Sequence, residues 1–149
     1  MRVWRVSRHR DLTGIGGLYV AGRWHTRGHL ITYAAEHPAT AQLEWLAHLE
    51  ITRPQDAPLT IPFSEIEVPD DLIWEELTEA DLPTSWETNQ METQRLGDSW
   101  LDERRSAVMF VPSVLVPARN VLLSPRHPDA ARIRMVRSFD HPFDTRLLR

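Results

Sequence analysis

No cysteine occurs among the 149 residues, which excludes disulfides, thiolate metal sites and cysteine nucleophiles and makes a reducing compartment the expected setting. No apolar run approaches the ~18 residues that a membrane span needs, and the start, MRVWRVSRHRDLTGIGG, has no hydrophobic signal core. Together these absences predict a cytoplasmic protein. Glycine is also scarce, with 6 residues, three of them in the TGIGG cluster of Thr13–Gly17. That cluster is not a dinucleotide fingerprint, because Tyr19 stands where G-x-G-x-x-G requires its third glycine. The H-E-x-x-H zinc motif, the G-x-S-x-G nucleophile elbow, internal repeats and low-complexity tracts are missing as well.

Cationic excess is absent too. Lys+Arg number 17 against 21 Asp+Glu, a formal net charge of -4, so no whole-chain attraction to nucleic acid or anionic lipid is indicated. The basic residues are arginines, whose planar fork suits phosphate; a GC-rich genome produces the same bias, so the count is neutral. What is present, 42% hydrophobic and 26% charged residues, describes one globular domain over residues 1–149.

The pattern predicts a mixed α+β fold with its topology left open. Val3–Val6, His29–Ala34, Ala107–Pro112 and Asn120–Leu123 have strand composition. Pro38 suits the first position of a helix running to about Glu50, and a second helix is expected over about Thr88–Arg105 with Met91, Leu96, Trp100 and Leu101 inside. On the first helix, Ala39, Leu43, Leu46 and Leu49 form the apolar side, and Thr40, Glu44 and His48 point away from it. The proline-rich Thr52–Pro69 reads as a connector or edge strand. The tail from Arg126 is expected to pack Phe139, Phe143 and Leu147 back on the sheet.

Several residues can carry chemistry. His25 and His29 stand four apart among seven histidines, but Gly28 argues against a helix there and no third ligand follows at a usual interval, so no metal is expected. Ser113 in VPSV is either a nucleophile or a hydroxyl capping a strand end. Arg23, beside Trp24, is either a surface cation or a bidentate phosphate clamp. Tyr33 is either core or a cleft residue, and Glu44 is either a solvated helix residue or a functional carboxylate.

The segments WRVS, LTGIGGLYVAGRWHTRGHLITYAAEHPATAQLE, GDSWL, VPSVLVPARNVLLSPRHPD and FDTRLL occur in this order. With them the chain resembles the RES domain family, toxins of Res–Xre type II toxin–antitoxin systems. The departures are AGRW where GGRW is frequent and His25 where asparagine is common. The resemblance implies a fold like that of the diphtheria-toxin-type ADP-ribosyltransferases and cleavage of the nicotinamide–ribose bond of NAD+. It implies Arg23, Glu44 and Ser113 as the catalytic trio and Tyr33 and Asn120 as further cleft residues. NAD+ is then substrate rather than cofactor, with water or inorganic phosphate as acceptor. Transfer of ADP-ribose to a protein, and an inactive binding module, are the alternatives. An Xre-type helix-turn-helix antitoxin is the implied partner, touching AVMFVPSV or the acidic DDLIWEEL.

Overall fold

The computed structural model describes residues 1–148; Arg149, the last residue of the expected domain, lies outside the described residues. Seven strands, β1 (Arg2–Val6), β2 (Thr32–Ala35), β3 (Thr60–Glu67), β4 (Trp74–Glu76), β5 (Val108–Pro112), β6 (Arg119–Leu123) and β7 (Arg134–Pro142), join two helices, α1 (Pro38–Ala47) and α2 (Gln90–Glu103). The strands form one sheet in the order β4-β5-β6-β2-β1-β3-β7. Every pairing is antiparallel except β4 with β5.

Register decides which side chains share a face, because partners directly opposite in a ladder point the same way. Trp4 lies opposite Ala35, Ala35 opposite Asn120 and Asn120 opposite Val111, forming one row across β1, β2, β6 and β5. One pleat along, Tyr33, Leu122 and Met109 continue the same face. This is the face that α2 covers, through a core of Trp24, Trp86, Trp100, Leu101, Met109 and Leu122. Trp100 is fully buried, and its indole N–H donates to Ser106 Oγ at 2.8 Å, whose hydroxyl passes on to the Val108 carbonyl at 2.9 Å. The opposite face buries Val3, Ala34, Ile66, Phe110, Val121 and Leu123, roofed by the segments that carry Leu12, Leu72 and Ile133.

Helix starts follow local chemistry. His37 caps α1, its Nδ1 accepting the Ala39 N–H at 3.1 Å, with Pro38 in the first turn where a missing N–H costs nothing. Asn89 caps α2 through the Glu92 N–H.

Four local expectations are corrected. The Thr52–Pro69 stretch holds β3, an interior strand between β1 and β7 rather than an edge. Pro62 is tolerated there because its carbonyl, and so its missing N–H, faces the β1 side beyond the Val6–Phe63 pair, where it accepts only from Ser7 N–H. The tail contributes the nine-residue edge strand β7, on which Phe139 stacks on Phe63 at 5.6 Å between ring centroids. Phe143 packs edge-on against Trp45, but Leu147 is exposed. Met91, expected inside α2, is 83% exposed, because the inward side of that helix runs through Thr93, Gly97, Trp100 and Leu101.

The fourth correction bears on function. On α1, Ala39 and Leu43 are exposed, whereas Thr40 and Ala41 are buried and Glu44 and Trp45 are half-buried. Thr40 and Glu44 thus turn inward from the side that periodicity assigns to water, while His48 on that side is exposed and Leu46 and Leu49 on the other are half-buried; the Glu44 carboxylate meets polar partners on β6 and just after β5.

Candidate active site

Glu44 is the junction of that contact. Its Oε1 accepts from Ser113 Oγ at 2.7 Å and from Asn120 Nδ2 at 2.7 Å. Ser113 follows the last residue of β5, and Asn120 lies on β6 in the row that includes Trp4. Ala35, between Trp4 and Asn120 in that row, has too small a side chain to fill the space, which lets α1 lower a carboxylate onto the sheet. Seven other glutamates, Glu36, Glu65, Glu67, Glu75, Glu76, Glu92 and Glu103, form ion pairs with arginine. Glu44 has no such pair among the described residues, and only neutral donors hold it. Both donors use one oxygen, so Oε2 keeps its acceptor capacity.

Ser113 fits the capping reading of its sequence position. It donates to Glu44 and also accepts from Leu115 N–H at 3.1 Å and Val116 N–H at 3.4 Å, tying the turn between β5 and β6. The hydroxyl proton therefore goes to a carboxylate that orients it, and no histidine base adjoins it among these bonds. Ser113→Ala frees two amide donors, and a loss of about 1–2 kcal/mol is expected in denaturant unfolding.

Tyr33 lies diagonally across the β2–β6 ladder from Asn120, on the same face. Its hydroxyl contacts His25 Nδ1 at 2.7 Å and accepts the Trp24 N–H at 3.1 Å. Burial pushes this phenol well above its ordinary value, so it acts as a neutral hydrogen-bonding group. Arg23 is half-buried in the adjoining turn and donates from Nη1 to the Glu87 carbonyl at 3.0 Å. Tyr33 and Asn120 share one face of the sheet, Glu44 and Ser113 meet at Asn120, and Arg23 stands in the turn whose Trp24 N–H binds Tyr33. The turn reaches this face through Tyr33, and α1 reaches it through Asn120.

The two helix-spaced histidines have other employment. His25 is buried between Tyr33 and the Val20 carbonyl, while His29 contacts Asp102 at 3.1 Å and Asp98 at 3.4 Å. Sequence reasoning missed Arg119, which clamps the reverse face. It bonds to Glu36 just before α1 and to Glu76 on β4, and lies over the Phe110 ring at 4.3 Å. A charged residue next to Asn120 in an otherwise apolar strand was the available signal. Of the two expected partner-contact segments, AVMFVPSV is available only at its end: Ala107–Val111 is buried inside the sheet and Val114 is exposed. In DDLIWEEL, by contrast, Ile73 and Trp74 are exposed at the β4 edge.

The RES domain pattern matches residues 2–145. The chain is 42% identical over 134 residues to the Toxin Res of Pseudomonas putida, covering 87% of this chain and 88% of that protein. It is 36% identical over 157 aligned positions to the Prs ADP-ribosylating toxin of Sphingobium sp., covering 98% and 96%. A chain in the crystal structure of the M. tuberculosis MbcT-MbcA toxin-antitoxin complex shares the fold, with a TM-score of 0.74 at 19% identity over 98% of this chain and 85% of that one. With a match spanning nearly every residue and full-length relatives above a third identical, the chain belongs to the RES domain family.

Proposed function

We propose that this protein is the toxin of a toxin–antitoxin pair and acts by cleaving the nicotinamide–ribose bond of NAD+. The observation that carries the reading is Glu44: a half-buried carboxylate without a cationic partner among the described residues, aimed by Ser113 and Asn120. Departure of neutral nicotinamide leaves positive charge on the ribose, and a fixed carboxylate beside that centre stabilises the charge as it forms. Oε2 of Glu44 is the oxygen left to take a ribose hydroxyl or face the cation. The leaving group departs without a charge, so the step needs no metal.

Arg23 supplies the fixed cation for the pyrophosphate or for an attacking phosphate. The Tyr33 ring lines the nicotinamide side, its hydroxyl already committed, while Ser113 and Asn120 orient Glu44 and border the ribose. The names of the curated relatives support a toxin, and one of them names ADP-ribosylation. An Xre-type antitoxin is the proposed partner, consistent with the toxin–antitoxin complex that shares this fold.

The test is incubation of purified protein with NAD+ labelled in the adenosine half, following nicotinamide release and the fate of the label. Free ADP-ribose means hydrolysis, its phosphorylated form means phosphorolysis, and label on a macromolecule means transfer. No nicotinamide release under any of these conditions overturns the reading. Arg23→Ala is expected to raise KM for NAD+ by about 10–100-fold, the worth of one or two charge-assisted hydrogen bonds, with a smaller change in kcat. Steady-state kinetics over a range of NAD+ concentrations checks this.

A further inference from the structure

Resting on the NAD+-cleavage reading, we infer that His25 is a positioning residue, which acts through the Tyr33 hydroxyl to hold the Arg23-bearing turn in its binding geometry. The proton positions follow from the partners. His25 Nε2 lies 3.0 Å from the Val20 carbonyl oxygen; a carbonyl only accepts, so Nε2 carries the hydrogen and Nδ1 is bare. Tyr33 O–H therefore donates to Nδ1 across 2.7 Å. With its hydrogen spent, the phenolic oxygen accepts the Trp24 N–H at 3.1 Å. One directional relay thus runs from the backbone beside Arg23, through Tyr33 and His25, to Val20.

The turn is wrapped tightly on this pair. Gly22 N–H donates to the His25 carbonyl at 3.1 Å, closing the bridge that contains Arg23. A Cβ on Gly22 would lie 2.5 Å from the Tyr33 oxygen and 3.0 Å from His25 Cε1, so the backbone approaches as closely as glycine permits. From the outside, Thr93 Oγ1 donates to the Arg23 carbonyl at 2.7 Å and Gln94 Nε2 to the Gly22 carbonyl at 2.9 Å. Helix α2 and the His25–Tyr33 pair therefore grip the two sides of one turn.

The relay runs only with a neutral imidazole. A proton on Nδ1 would face the Tyr33 hydrogen and break the order of donors. Burial holds the imidazole below its ordinary value of 6.5; the carboxylate of Asp98 on α2 and the Val20 and Gly17 backbone act against this, and His29 reinforces it. Because the value is depressed, the neutral form dominates at neutral pH and the grip is lost as pH falls through that lowered value.

The experiment measures KM and kcat for NAD+ across the acid-to-neutral range for the parent, His25→Phe, Tyr33→Phe and the double variant. His25→Gln is the second variant, since its carboxamide can donate to Val20 and accept from Tyr33 without titrating. Expected for His25→Phe is a KM raised about tenfold with kcat within about threefold, and a double variant no worse than the poorer single one. The parent should lose affinity at acid pH, and His25→Phe and His25→Gln should lack that acid limb. Amide exchange of Trp24, read without substrate, should quicken in His25→Phe and Tyr33→Phe. Folded His25 variants with parental KM, parental acid limb and parental Trp24 exchange overturn the proposal. A parent that does not cleave NAD+ overturns the functional reading instead, and unchanged Trp24 exchange then overturns this proposal by itself.

Discussion

Glu44→Gln is expected to slow nicotinamide release at saturating NAD+ by about 10²–10³-fold, the scale on which removing one preorganised electrostatic group acts. The substitution is nearly isosteric. The carboxamide oxygen can still accept from both Ser113 Oγ and Asn120 Nδ2, the two donors that share Oε1 in the parent. α1 therefore keeps its seat, and what disappears is the negative charge beside the ribose. Initial rates, with circular dichroism and a melting curve as controls, separate this from unfolding. A folded variant that releases nicotinamide at the parental rate removes Glu44 from the reaction.

The largest expected effect on stability comes from a residue without a side chain. A methyl group on Gly97 would sit 1.7 Å from the Trp24 carbonyl oxygen and 2.7 Å from the Trp24 carbonyl carbon. Both are backbone atoms, so no side chain can swing away. To admit the methyl, α2 must lift from the segment carrying Trp24, which breaks the Thr93–Arg23 hydrogen bond and opens the packing around Trp86 and Trp100. Overpacking of a core costs about 1–3 kcal/mol where neighbours can adjust. Here they cannot, and Gly97→Ala is expected to reach at least the upper end, lowering Tm by about 10 °C. Since Gly97 holds the turn bearing Arg23, KM for NAD+ should rise as well. A melting temperature within about 2 °C of the parent would mean the helix and turn can part without cost.

Much of the local structure was legible before the fold was known, and for different reasons at each element. Pro38 marks a helix start by its own covalent geometry, and Val108–Pro112 and Arg119–Leu123 are strands because short apolar runs bounded by proline and arginine leave little else. GDSWL contains a glycine whose purpose is invisible in the chain and plain in the packing, where it admits the Trp24 backbone. His25 invited a metal reading from spacing; its partners, Val20 and Tyr33, lie in its own segment, but only the folded turn brings them onto its two ring nitrogens.

The sequence by itself determined the family, through ordered segments, and the local state of most elements, through capping, proline placement and periodicity. Only the tertiary structure decided that Glu44 meets Ser113 and Asn120, 69 and 76 residues along the chain, and which side of α1 faces the sheet. Periodicity measures a helix against an apolar core, so it sends carboxylates to water. Glu44 has its polar partners on the sheet side, and their positions are set by strand register across the sheet rather than by any neighbour in sequence.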